Sequence, residues 1–261
     1  ETDNMERYKK IMDEHPLFTG IDYKESPGNA ECFPRLYVVV RNEIVHLGIA
    51  PDKLTTQQTG VHLKAREVHE LLSHKPDNLV ILDTRNDYEW RIGKFEGALT
   101  PPIETFKELP EYIDQHLDEF KDKQVLMYCT SGVRCERATA YLNQKQIAQH
   151  VYQIEGGIQR YVEQYPDGYF RGKNYVFDDR IAVKINDDIL STCDLCPMAC
   201  NDYANCLNAE CNAHYIACSD CLIKYTNCCS QRCTDLIASQ QVKRRPDRPK
   251  VDPALCTIAR R

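Results

Sequence analysis

Ten of the fourteen cysteines of this 261-residue chain fall within the 41 residues from Cys193 to Cys233. A segment so rich in cysteine and so poor in large apolar side chains cannot build an ordinary hydrophobic core, so its folding energy must come from cross-links or metal. Cys193-x2-Cys196 and Cys218-x2-Cys221 have the two-residue spacing that lets paired thiolates grip one tetrahedral ion. Cys206-x4-Cys211 and Cys229…Cys233 supply two further pairs, with Cys228 competing with Cys229. Joining the first pair with the third and the second with the fourth predicts an interleaved module. One site is then Cys193, Cys196, Cys218 and Cys221, and the other Cys206, Cys211, Cys229 and Cys233. Cys200 and His214 are left as spares or substitutes. Two structural zinc ions are the expected occupants, each worth ~10–16 kcal/mol of folding energy. An iron–sulfur cluster and disulfides are the alternatives, and closed sites leave no catalytic metal. The body at 33–128 is cysteine-poor, unlike a secreted scaffold. A reducing, cytoplasmic setting follows, in which clustered thiols bind metal rather than pair.

The length fits two compact units with appendages. The longest apolar stretches, such as Leu36–Val40, are strand-sized. Nothing reaches the ~20 apolar residues of a membrane span, so no membrane partner is expected. The opening Glu-Thr-Asp-Asn has neither the basic start nor the apolar core of a signal peptide, and the missing Met suggests a fragment or processed chain. The net charge of −6 is uneven. Residues 241–261 hold seven Lys/Arg and two Asp, a balance of +5, which leaves −11 on the other 240. With Pro246 and Pro249 among its cations, this tail reads as disordered and solvated, able to touch phosphates.

Hydrophobic periodicity predicts a helix over Met5–Glu14 and a strand pair, or one bulged strand, over Arg35–Val40 and Glu43–Leu47. A polar linker follows at 48–61. From there strands and helices alternate. Helical segments fall at Ala65–Leu72, Asn86–Arg91, Phe106–Phe120, Arg134–Gln144 and from Gly156-Gly157 to Gln164. Short buried strands fall at Leu79–Leu82, Val125–Tyr128 and His150–Ile154. This alternation predicts an α/β fold, a parallel sheet with helices on both faces. Ligands in such sheets sit at the carboxyl ends of strands, where Val125–Tyr128 delivers Cys129.

The segment around that cysteine reads VLMYC-TSGVR-CERATAYL. The loop Thr130, Ser131, Gly132 and Val133 would curl back so that its N–H groups and a helix N-terminus converge on the Cys129 sulfur. Both favour thiolate over thiol. Arg134 adds to that field if its side chain turns inward. Cys135 is either a resolving thiol for an oxidised or persulfidated Cys129 or a packed small hydrophobe. Asp83 and Arg85 read better as an ion-paired scaffold than as catalytic groups. An inert, buried Cys129 is the plain alternative.

This block resembles the rhodanese domain over about 62–165. Asp83-x-Arg85-x3-Glu89-x3-Gly93 and Phe95-x-Gly97-Ala98 match its strand–turn–helix signature, and Gly156-Gly157-Ile158 its final loop and helix. The resemblance implies a five-stranded parallel sheet. Phosphatases of related architecture use Cys-x5-Arg, whereas Cys129 and Arg134 are Cys-x4-Arg, a smaller cradle suited to a persulfide or similar group. Further stretches narrow the match: CFPRLYVVVRNEIVHLG, LDTRNDYE…IGKFEGAL and GK-x-YVFDDR-x-AV. With them the chain is similar, over nearly 1–235, to the bacterial tRNA uridine 5-hydroxylase family. It is still more similar to that family's eukaryotic relatives, the thiosulfate sulfurtransferase domain-containing proteins.

That resemblance implies a remnant of a ferredoxin-like α+β domain plus linker at 1–61, a rhodanese domain and extension at 62–185, a cysteine-rich zinc module at 186–237 and a basic tail at 238–261. It implies oxygen-dependent hydroxylation of a tRNA wobble uridine, with Cys129 as the required thiol. No flavin, haem or iron-binding motif is visible, so sulfur is the visible redox chemistry. The alternatives are a sulfurtransferase carrying a Cys129 persulfide from a small sulfur donor, and a non-enzymatic docking scaffold. Two departures stand out. Ser131 replaces the first glycine of the family's usual Cys-Thr-Gly-Gly, and a side chain there resists positive φ. The cysteine-rich segment also holds more cysteines than the bacterial form.

Overall fold

The structure, a computed structural model, describes residues 2–247 and 251–257, apart from 22, 24, 26–28, 30, 31 and 33–37. A first helix, α1 (Thr2–Asp13), covers the expected helix near the start. The strand expected from Arg35 begins outside the described residues. Val38–Val40 and Glu43–Leu47 form no strand, and Val40 is fully exposed. Among the described residues they have no strand to pair with, and a ladder needs a partner. Leu47 is instead buried in the main core, with Glu43 Oε2 accepting from its N–H.

The central sheet follows in chain order. β1 (Val61–Leu63) leads into α2 (Ala65–His74), whose buried Ala65, Val68 and Leu72 lie one helical turn or so apart. β2 (Leu79–Asp83) then runs into the short α3 (Asp87–Trp90) and β3 (Gly93–Phe95). The amphipathic stretch from Phe106 is not one helix. It opens with a 3-10 turn and divides into α4 (Leu109–Gln115) and α5 (Leu117–Phe120), broken at His116, whose φ of −124° and ψ of 29° are not helical. β4 (Gln124–Tyr128), α6 (Val133–Lys145), β5 (His150–Ile154) and α7 (Gly157–Gln164) complete the unit. The strands pair in parallel in the order β1-β5-β4-β2. The sheet therefore has four strands, not five. The fifth position is held by Leu99 alone, in one parallel bridge with Leu82.

Alternation across the sheet places the site. Along β4, Val125 and Met127 face one core with Leu109, Ile113, Phe120, Ala138 and Leu142. Leu126 and Tyr128 face the other, with Val68, Phe95, Ile158 and Tyr161. The next residue in that rhythm, Cys129, belongs to the first core, on the side of α6.

The chain then leaves the parallel sheet for a second one. β6 (Phe170–Tyr175) pairs antiparallel with β3 and with β7 (Ala182–Lys184), stitching the extension to the α/β body. The cysteine-rich part follows as the hairpin β8 (Tyr203–Asn205) and β9 (His214–Ile216), then α8 (Ser219–Lys224) and α9 (Gln231–Ala238). Its core is mostly cysteine and takes in Ile92 from the preceding unit. The tail is less free than its composition suggests. Arg244 bridges Asn208, Arg245 N donates to Leu207 O at 2.7 Å, and Arg245 Nη2 donates to Ala209 O at 3.0 Å. Backbone groups of the 207–209 segment gain partners this way. Arg248 and Lys250 lie outside the described residues. No helix among them is long and apolar enough to cross a membrane.

At the end of β2, Asp83 and Arg85 are fully buried and paired. Arg85 Nε and Nη2 donate to Asp83 at 2.9 and 2.6 Å, and Nη2 also reaches Gly93 O at 2.6 Å. The guanidinium lies 5.6 Å from the ring centre of Tyr128 and 6.0 Å from that of Phe170. These contacts tie β2, β3, β4 and β6 together, a scaffold role. Arg85→Met should destabilise the protein by roughly 3–5 kcal/mol, because Asp83 is left buried and unpaired. Urea unfolding checks this; a loss below about 1 kcal/mol would contradict it.

Candidate functional site

Cys129 leaves β4 buried, and the chain then turns back over its sulfur. Gly132 makes the turn possible with a φ of +91°. The positive φ falls on Gly132 and not on Ser131, so the serine departure leaves the turn intact. Gly132 N donates to Cys129 Sγ at 3.1 Å. The Gly156-Gly157 loop closes the other side: Ile158 N donates to Cys129 O at 2.9 Å and Gln159 N to Thr130 O at 3.1 Å. A Cβ on Gly157 would sit 2.5 Å from Cys129 O and 2.6 Å from Gly132 N, so only glycine fits this approach.

Burial opposes charge on Cys129, but four favourable influences outweigh it. They are a hydrogen bond from the Cys135 thiol, the Arg134 charge, and the N–H groups of Ser131 and Arg134. Together they pull the Cys129 thiol down to about 5. Cys135 goes the other way. Burial and then its neighbour's sulfur push it well up, so it stays protonated and donates. Thr84 Oγ1, which donates to Tyr128 O at 3.0 Å, lies 3.7 Å from Cys135 Sγ. The pair is therefore one thiolate and one thiol.

Arg134 turns inward, but onto a carboxylate. Its Nη1 and Nη2 donate to Glu89 Oε1 and Oε2 at 2.5 and 2.7 Å, and Glu89 is fully buried. Thr130 Oγ1 donates to Glu89 Oε2 at 3.2 Å. The outer face of the guanidinium lies 5.6 Å from the centre of the Phe177 ring. Glu89 is the residue at this loop that sequence reasoning missed, although it belongs to the quoted signature. The signal was available: an arginine drawn into a buried loop requires a carboxylate. Val133 begins α6 and is partly exposed, at 42%.

The eight expected metal-binding cysteines form two groups of four. Within each group all sulfurs lie within 4.8 Å of one another. Cys196 and Cys218 are 3.7 Å apart, Cys211 and Cys229 3.5 Å, and Cys229 and Cys233 3.9 Å. Four thiolates at ~2.3 Å from a tetrahedral ion stand roughly 3.8 Å apart, so the donor set fits such an ion. Cys229 is in the second group and Cys228 is not; the Cys228 thiol points to Thr226 O. Cys200 and His214 lie outside both groups. His214 instead stacks on Tyr203, ring centres 4.2 Å apart, and burial lowers its pKa.

Comparison with known proteins places this architecture. Residues 64–164 match the rhodanese-like domain family, and 171–234 match the family described as rhodanase C-terminal. The tRNA uridine(34) hydroxylase of Chlamydia caviae is 40% identical over 236 residues, spanning 88% of this chain and 70% of that protein. Its counterpart in Buchnera aphidicola is 39% identical over 209 residues, spanning 78% of this chain and 66% of that protein. The chain belongs to the tRNA uridine(34) hydroxylase family. In this member of the hydroxylase family, the C-terminal match runs from β6 through the first half of α9, so both cysteine groups lie within it.

Two outcomes follow for the thiol of this hydroxylase-family chain. Iodoacetamide labelling of Cys129 as a function of pH should turn on near 5, with Cys135 unlabelled; a midpoint near the ordinary ~8.5 would contradict the geometry. Stability should follow. Cys129 has a lowered folded-state pKa, so the unfolded chain binds more protons between about 5 and ~8.5, and stability rises with pH across that window. Cys129→Ser should flatten that part of the curve in urea unfolding, and an unchanged slope would speak against a native thiolate.

Proposed function

We propose that this chain hydroxylates the wobble uridine of tRNA at C5, with Cys129 as the essential thiolate. The observation that carries the reading is the thiolate cradle at Cys129 in a chain 40% identical, over 88% of its length, to a tRNA uridine(34) hydroxylase. In this reading Thr130, Ser131, Gly132 and Val133 form the loop that faces substrate. Arg134 positions that loop through Glu89, and Cys135 holds a proton beside the nucleophile and resolves it when it is oxidised. Placing one atom of O2 on uridine also needs two electrons, with two protons, from a reductant outside the chain, which carry the second atom to water. The setting is the cytoplasm, where tRNA is met.

The net charge of −6 makes tRNA attraction local rather than global, so binding is modest and salt-sensitive. A second reading, sulfurtransfer from a small sulfur donor, has one specific support: the loop N–H groups converge on a single sulfur, a fit for a Cys129 persulfide. Purified protein incubated with tRNA, air and a chemical reductant should raise the mass of the wobble uridine by one oxygen, and Cys129→Ser should not. Efficient conversion of thiosulfate and cyanide to thiocyanate, with tRNA unchanged, would favour the second reading.

The metal reading is two structural zinc ions, one held by Cys193, Cys196, Cys218 and Cys221, the other by Cys206, Cys211, Cys229 and Cys233. When bound, zinc cross-links a module whose core takes in all eight of these cysteines. Elemental analysis should find about two zinc ions per chain, and about one in Cys196→Ser. Zinc-free protein that keeps a folded module would contradict this.

A further inference from the structure

Three segments far apart in sequence meet in a cleft of about 750 Å³ whose walls include Tyr88, Tyr175, Phe177, Asn205 and His214. None of these residues has a place in the chemistry at Cys129 or in the two cysteine groups. The aromatic rings stand at steep angles to one another. Tyr88 and Tyr175 meet at 5.1 Å and 68°, and Tyr175 and Phe177 at 5.4 Å and 70°. Phe177 is 61% exposed, unusual for a phenylalanine, because only its inner side rests on Arg134. Behind the rings runs a polar relay. Asn205 Oδ1 accepts from His214 Nδ1 at 2.9 Å, which leaves Nε2, at 3.3 Å from the Tyr175 hydroxyl, to accept from it. Asn205 and His214 are cross-strand partners in the β8–β9 hairpin, so the cysteine-rich module sets this wall.

Charge selects the kind of occupant. Of the cleft's charged residues, Asp178 is neutralised by Arg180 and Arg91 by Asp194. The balance, with Asp87 and Glu104 on the rim, is acidic and repels phosphate. The other side of Arg134 is different. There a depression of about 330 Å³ is lined by His46, Lys107 and Arg134. The Arg134–Phe177 stack is the ridge between a basic depression and an aromatic cleft. Unpaired RNA presents that division: phosphates on one side, splayed bases that stack on aromatic rings on the other.

From this placement we propose that the cleft seats one unpaired nucleobase of the anticodon loop, stacked on the free face of Phe177, with its phosphate toward His46 and Lys107. The proposal rests on the tRNA reading above and adds the subsite that orients the RNA. The site adjoins the reactive loop, since Thr130 Oγ1 lies 3.5 Å from Tyr175 O. A quaternary ammonium would also suit rings with an acidic rim. It has no use for the Tyr175–His214–Asn205 relay, whereas a base edge can hydrogen-bond to such a wall.

The test uses the full chain and a fluorescent anticodon stem-loop RNA, together with a set in which each loop nucleotide in turn is abasic. Phe177→Ala should weaken binding of the intact stem-loop roughly ten-fold, and Phe177→Trp should restore it. For one abasic RNA, wild type and Phe177→Ala should bind equally, because the stacked base is gone. If Phe177→Ala weakens every abasic RNA as much as the intact one, or weakens none, the cleft is not a base seat. If the wild type fails to bind the stem-loop at all, the tRNA reading itself falls, and the cleft proposal with it. Capture of a trimethyl-lysine peptide that Phe177→Ala abolishes would overturn the proposal in favour of a cation site.

Discussion

A buried ion pair holds the Cys129 loop in place. Arg134 is the first turn of α6, Glu89 lies on α3, and the two are joined by a bidentate contact at 2.5 and 2.7 Å. Breaking such a pair from one side leaves a desolvated charge, at a cost of roughly 3–5 kcal/mol. The pair also decides what Arg134 can do. A free guanidinium beside Cys129 would be a general anion trap. Clamped on Glu89, it lends its field to the thiolate while staying fixed, and its outer face becomes the support for Phe177.

Two sources of stability meet at one seam. The rhodanese-like body has ordinary apolar cores on both faces of its sheet. The cysteine-rich part has a core rich in its own cysteines and takes in Ile92. Tyr175 and Ala182 pack on it as well, and polar contacts cross the same seam: Arg91 pairs with Asp194, Tyr203 donates to Tyr88 O at 2.8 Å, and Ser191 donates to Arg91 O. Asp194 lies next to Cys193, and Asn205 and His214 are held by the hairpin between ligand pairs. The arrangement of the two cysteine groups and the shape of the aromatic cleft are thereby joined through the backbone.

Much of this was readable in advance, for definable reasons. Strong local signals did well. The buried runs at Leu79–Leu82, Val125–Tyr128 and His150–Ile154 are strands because β-rich apolar runs bounded by turns have few other fates. Cysteine spacing anticipated which eight sulfurs come together, since ligand chemistry leaves a signature independent of folding context. Signals that depend on distant partners did poorly. Glu43–Leu47 has strand composition but no described strand to pair with. The single amphipathic helix from Phe106 broke at His116, where no glycine or proline announces it. The cationic tail folds back at Arg245 because segment 207–209 offers it backbone partners. Glu89, quoted only as part of the signature, accepts from Asn86 N within its own turn and meets its other partner 45 positions away. Family resemblance supplied what local reading could not, the joining of the three segments into one protein.

The central claim is that the loop fixed by Arg134 keeps Cys129 as a thiolate. The most direct measurement is a ¹³C NMR titration of the Cys129 Cβ in wild type and in Arg134→Met. Removing Arg134 deletes a cation beside the sulfur and leaves Glu89 without its partner, and both changes raise the thiol pKa. The account predicts a wild-type midpoint near 5 and a clearly higher one in the variant, toward ~8.5. Equal midpoints in the two proteins, or a wild-type thiol that titrates near ~8.5, would contradict it.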